Sequence, residues 1–107
     1  MADSYTREIA KIERTHLGYE DHGILTGGLQ VNYGGGAGQF VGGYSIVTVA
    51  GPYIERTLKA CGVDSWEKLC GRTIYVLTNA DGRVVGIENL STEPGEQFLF
   101  SDVFGEY

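Results

Sequence analysis

Seventeen of the 107 residues are glycine, roughly twice the usual ~7%, and their placement limits what the chain can fold into. They cluster as Gly27-Gly28, Gly34-Gly35-Gly36 with Gly38, and Gly42-Gly43. No three-residue period runs through them, which excludes a collagen helix. Only two prolines accompany them, and aliphatic and aromatic residues lie between, unlike a flexible linker. Glycine in this setting permits sharp turns, bulges and close approach of the backbone to another group. A sheet with glycine at its corners fits this pattern.

Residue parity supports strands on either side of the glycines. Thr6 to Tyr33 predicts a long β-hairpin turning at Glu20-Asp21-His22-Gly23, where Gly23 can take a positive φ. In the first arm Ile9, Ile12, Leu17 and Tyr19 change parity, so a bulge is required. In the second, Leu25, Leu29, Val31 and Tyr33 share one face, while Thr26, Gln30 and Asn32 share the other. Gly34 to Gly38 forms the next connection, and Phe40 to Val49 reads as a third strand.

Helical signals follow. Gly51-Pro52 places proline in a first turn, where its missing N–H costs nothing. Ile54, Leu58 and Cys61 have helical spacing, and Gly62 terminates them. Asp64-Ser65-Trp66-Glu67 predicts a second short helix opened by a variant capping box between Asp64 and Glu67. The chain then returns to β structure. Thr73 to Thr78 and Arg83 to Leu90 form a hairpin around Asn79-Ala80-Asp81-Gly82.

The expected fold is α+β. It is one domain over residues 1–107, an antiparallel sheet of five to six strands with two short helices inserted between the third and fourth. Leu25, Leu29, Val31, Ile54, Leu58, Trp66, Leu69, Ile74, Val76, Val85 and Ile87 are its expected core. Residues 91–107 form an aromatic and acidic extension after the break at Thr92-Glu93-Pro94-Gly95. Phe98, Phe100 and Phe104 need cover. The expectation is a docking arm laid on a neighbouring subunit, hence a homo-oligomer, with docking on its own sheet as the rival.

Charge and cysteine narrow the function. Fourteen acids against eight bases give a net charge of −6, without the positive field that draws a protein to duplex nucleic acid. No apolar run reaches the ~18 residues of a membrane span. Residues 1–8 carry acids and lack the apolar stretch of a secretory signal, so a cytoplasmic protein is expected. Cys61 and Cys70 have no histidine nearby and form no zinc pattern. Two buried thiols are expected.

Catalytic motifs are missing. Gly43-Tyr44-Ser45-Ile46-Val47 lacks the second glycine of a nucleophile elbow. Gly34 to Gln39 fits neither a Walker loop nor a dinucleotide fingerprint. His16 and His22 read as strand and turn residues, and the C-terminal acids as a solvated surface. No catalytic residue, metal site or cofactor is expected. What remains is a binding reading around Gly34 to Tyr44. Glycine N–H groups there form an anion nest, Gln39 offers an amide, and Phe40 and Tyr44 offer faces for stacking a nucleobase. Arg56 and Arg72 offer phosphate contacts. The alternative is a glycine-rich sheet corner with Phe40 and Tyr44 in the core.

Several segments, taken in order, carry a family resemblance. They are Leu17-Gly18-Tyr19-Glu20-Asp21-His22-Gly23-Ile24-Leu25-Thr26, then Gly38-Gln39-Phe40-Val41-Gly42-Gly43-Tyr44 and Tyr53-Ile54-Glu55-Arg56. Gly62-Val63-Asp64-Ser65-Trp66-Glu67-Lys68-Leu69-Cys70-Gly71 and Val85-Gly86-Ile87-Glu88-Asn89 complete the set. Over roughly residues 15–90 the chain resembles small phage and prophage proteins, the first type of anti-Thoeris sponge. The resemblance implies an oligomeric, phage-encoded protein of the bacterial host cytoplasm. Such a protein sequesters a cyclic ADP-ribose isomer, or a cyclic oligonucleotide, without cleaving it. The candidate ligand-binding residues are Gln39, Phe40, Tyr44, Tyr53, Arg56, Arg72 and Asn89. Two further classes stay open. One is a phage protein–protein interaction module with no small-molecule ligand, the other a small nucleotide hydrolase.

Overall fold

The computed structural model describes residues 5–33, 36–92 and 95–105. Three strands come first, β1 (Thr6–Tyr19), β2 (Leu25–Tyr33) and β3 (Ala37–Gly43). Helix α1 (Ala50–Cys61) and one 3-10 turn (Trp66–Lys68) precede β4 (Thr73–Thr78) and β5 (Val84–Glu88). Strand β6 (Gln97–Leu99) and the four-residue helix α2 (Ser101–Phe104) end the described chain. The strands form one six-stranded sheet in the order β3-β2-β1-β4-β5-β6, antiparallel throughout. This is an α+β fold.

The long first strand organises the sheet. Its residues 10–19 pair with β2 while residues 6–11 pair with β4. The expected bulge falls at Glu13, because Ile12 opposes Val31 and Arg14 opposes Gln30. One extra residue reverses the parity. Ala10 and Ile12 therefore face the core before the bulge, and Thr15 faces it afterwards, opposite Leu29. At the hairpin turn Gly23 takes φ 78°, and its N–H donates to Glu20 O at 2.8 Å.

One sheet face carries the core. Ile12, Leu29, Val31, Val41, Ile74, Val76, Ile87 and Phe98 pack there with Tyr53, Ala60 and Cys61 of α1 and with Leu69. Helix α1 closes on Gly62, which has φ 70°. Gly62 N–H donates to Lys59 O and Val63 N–H to Leu58 O, the paired bonds of a Schellman ending.

Several expectations need correction. The third strand stops at Gly43, so Tyr44, Ile46, Val47 and Val49 are not strand residues. Gly42 takes φ 146° while still paired with Gly28, and past the pair of Gly43 with Gly27 the chain leaves the sheet and turns into α1. The second helix is only a 3-10 turn, and no side chain caps it. Asp64 pairs instead with Lys68 Nζ at 2.8 Å. Leu25, Ile54, Leu58 and Trp66 are half-buried around the core rather than within it.

Val84, not Val85, is fully buried. A register shift opposes Thr78 to Val84 and Leu77 to Gly86, so Val85 is the extra residue of a second bulge. Of the cysteines only Cys61 is buried; Cys70 is exposed. Gly34-Gly35 of the expected connection, and Glu93-Pro94 of the expected break, lie outside the described residues.

The extension docks on the chain's own sheet. Strand β6 adds to the chain's own sheet, with Phe98 opposite Ile87, and Phe98 and Phe100 are both buried. Their rings meet edge to face at 5.2 Å, and Phe104 lies 5.6 Å from Tyr53. Arg56 ties the segment down. Its Nη2 donates to Gln97 O at 3.1 Å and Asp102 Oδ2 at 3.2 Å, and its guanidinium sits 5.0 Å from the Phe98 ring centre. The aromatic rings find cover at the open edge of β5. Glu88, also buried, is held at 3.0 Å by Arg7 Nε and by Gln97 Nε2.

Candidate functional site

Opposed residues of adjacent strands share a sheet face. The row Thr15, Leu29 and Val41 looks into the core. The rows Arg14, Gln30, Phe40 and His16, Gly28, Gly42 look the other way. His16 and Gly42 of the second row line a groove of about 420 Å³ together with Glu20, Thr26, Phe40, Gly43 and Tyr44.

Glycine makes the floor. A Cβ at Gly28 would come within 2.4 Å of the Phe40 ring, so that ring lies directly over bare backbone. A Cβ at Gly42 would meet Gly27 O at 2.2 Å and Tyr53 Oη at 2.9 Å. The Tyr53 hydroxyl therefore sits just beneath the groove. Phe40 is 52% exposed and Tyr44 63%. Two aromatic rings in water beside an apolar hollow are unusual for a chain whose other phenylalanines are covered.

The β1–β2 turn closes one end of the groove. Glu20 accepts hydrogen bonds from the backbone N–H groups of His22 and Ile24 and lies 3.0 Å from His22 Nδ1. The His22 side chain, followed by these backbone donors and the Tyr44 hydroxyl, holds the carboxyl below its ordinary value. At the floor, His16 Nε2 lies 3.2 Å from Gly18 O. A carbonyl only accepts, so Nε2 carries the proton in that bond. Thr26 Oγ1 donates to the same oxygen at 3.4 Å.

A second hollow, about 540 Å³, lies beyond the end of α1 and is lined by Gly62, Val63, Asp64, Lys68 and Arg72. Its cations are engaged. Arg72 Nε donates to Cys61 O at 2.8 Å and its Nη2 to Ser91 Oγ at 3.3 Å, while Lys68 pairs with Asp64.

The seven candidate residues are therefore spread over the molecule. Phe40 and Tyr44 meet at the groove. Gln39 stands on the core face opposite Val31, its Oε1 accepting from Tyr33 Oη at 2.9 Å. Tyr53 is buried under the groove, and Arg56 is tied to the C-terminal segment. Arg72 lines the second hollow, and Asn89 approaches Gly62 beside it.

His16, Glu20 and Thr26 also line the groove, and sequence reasoning did not gather them. The signal lay in the hairpin register, which counted from the β1–β2 turn is regular as far as Arg14 and Gln30 and so sets His16 opposite Gly28. Among the described residues, no group of three or more His, Cys, Asp or Glu side chains is placed to hold a metal ion. No helix among them is long and apolar enough to cross a membrane. The chain shows no significant match to any protein-family model, curated protein or solved structure.

Proposed function

We propose that the groove holds a nucleotide-like ligand and that the protein sequesters it without cleaving it. The ligand class is a cyclic ADP-ribose isomer or a cyclic oligonucleotide, as the resemblance to anti-Thoeris sponges implies. The setting would be the cytoplasm of a phage-infected bacterium, and the working form a homo-oligomer. The observation that carries this reading is the pair of exposed rings, Phe40 and Tyr44, flanking a glycine floor. A nucleobase is flat and needs a flat, unobstructed bed. Each stacked base contributes about 1–3 kcal/mol.

Calorimetry with cyclic ADP-ribose isomers and cyclic dinucleotides tests the reading. Binding tighter than ~1 mM, about −4 kcal/mol, is expected for at least one of them, with loss on Phe40→Ala. Binding of none at that level overturns it. The alternative, a protein–protein interaction module, has its own observation in Tyr19 and Val47, which are 74% and 68% exposed. In that case no nucleotide binds and a protein partner covers these side chains.

A further inference from the structure

The groove has a direction, and this inference rests on the nucleotide reading above. Arg14, Gln30 and Phe40 stand in one cross-strand row, immediately beside the row of His16, Gly28 and Gly42. Strands lie ~4.8 Å apart, so the Arg14 and Phe40 backbones are about 10 Å from each other, a gap that an extended guanidinium arm shortens. Arg14 is exposed. Among the described residues its side chain has no ion-pair or hydrogen-bond partner. By contrast Arg7, Arg56 and Arg72 are bonded to Glu88, Asp102 and Cys61 O.

Inside the groove the polarity reverses. His16 Nε2–H and Thr26 Oγ1–H both point to Gly18 O. In the Nε2–H tautomer that this bond requires, Nδ1 of His16 and the two Thr26 lone pairs face the groove as acceptors. The Glu20 carboxylate is occupied by the turn that it organises. An acceptor-lined stacking bed therefore runs out to a free cationic end.

We infer that the groove recognises an amine-bearing planar base joined to a phosphate. The exocyclic amine donates to His16 and Thr26, the ring stacks on Phe40, and the phosphate reaches Arg14 beside the Gln30 amide. A guanidinium takes a phosphate through two parallel N–H···O bonds. The arrangement distinguishes an aminopurine nucleotide from an oxopurine nucleotide and from an uncharged nucleoside.

Calorimetry on the full chain with AMP, IMP and adenosine tests this. AMP is expected to bind at least tenfold more tightly than IMP, which carries an oxo group where AMP has its amine, and than adenosine, which lacks the phosphate. Arg14→Gln, an exposed strand substitution checked for unchanged melting, is expected to weaken AMP to the adenosine level and leave adenosine unaltered. If AMP fails to bind, if the three probes bind alike, or if Arg14→Gln leaves AMP unchanged, the orientation is overturned. In those cases a cyclic dinucleotide that still binds in the same calorimeter keeps the broader reading. A cyclic dinucleotide and cyclic ADP-ribose isomers that also fail overturn both.

Discussion

Replacing Phe98 by alanine probes the account of the C-terminal segment. Phe98 is fully buried. Its ring packs against Phe100 at 5.2 Å and Tyr53 at 6.0 Å, with the Arg56 guanidinium over its face. Truncating a buried phenylalanine to alanine costs about 3–5 kcal/mol. A domain of this length has about 5–15 kcal/mol in total. At roughly 4–6 °C per kcal/mol, the melting midpoint should fall by on the order of 12–30 °C. Asp102→Asn is the matched control, because it removes only a partly exposed ion pair worth about 1 kcal/mol or less. Denaturant melts of the three proteins at two concentrations give the comparison. A loss below about 1 kcal/mol for Phe98→Ala would refute the packing. So would a wild-type midpoint that falls on dilution only while residues 95–105 are present, because docking on a neighbour depends on concentration.

Three further outcomes follow from particular residues. Burial pushes the Cys61 thiol up to about 12 while Cys70 is exposed, so a thiol reagent at neutral pH should label only Cys70 in the native protein and both after denaturation. Rapid labelling of both in the native state would contradict the burial. The Glu20 carboxyl, lowered chiefly by the His22 side chain, stabilises the turn at and above its ordinary value near ~4.3, and that support is lost as pH falls through the lowered one. The His22 and Ile24 amide resonances should hold steady as pH falls to that ordinary value and move together only below it, whereas titration at or above it would contradict this. Gly28→Ala drives a methyl toward the Phe40 ring and Val41 O; melting should show a loss of about 1–3 kcal/mol, and calorimetry a cyclic-nucleotide affinity weakened at least tenfold, with no change in either contradicting the glycine floor.

The parts of the fold that depend on local chemistry were legible in the sequence. The alternation of Leu25, Leu29, Val31 and Tyr33 marked β2, Gly23 and Gly82 marked two hairpin turns, and Gly62 ended α1. Bulges were harder. The parity change between Ile12 and Leu17 showed that one was needed in β1, whereas nothing around Val85 showed the second, and Val84 took its place in the core. Apolar density misled nearer the glycines: Tyr44, Ile46, Val47 and Val49 are strand-forming residues, but the ladder ends where Gly43 pairs with Gly27. Strand β6 is only three residues long, too short for parity to say which sheet edge it joins. That choice was made by the open edge of β5 and by Arg56, a partner far away in sequence. The groove shows the same division. Phe40 and Tyr44 stood out by type and by their glycine neighbours. His16, Glu20 and Thr26 reach the same hollow only through the turn-side pairing of β1 with β2, and Gln39 is carried to the opposite face by the same alternation that exposes Phe40.

The central claim is reversible capture, and a capture-and-release measurement tests it most directly. The protein is incubated with a cyclic ADP-ribose isomer or a cyclic dinucleotide, freed of unbound nucleotide, and denatured by heat, and the released material is identified by mass. The expected result is the intact nucleotide, in amounts that fall sharply for Phe40→Ala and Tyr44→Ala. Release of cleavage products would show a hydrolase, and release of nothing would show that the groove serves another purpose; either contradicts the account.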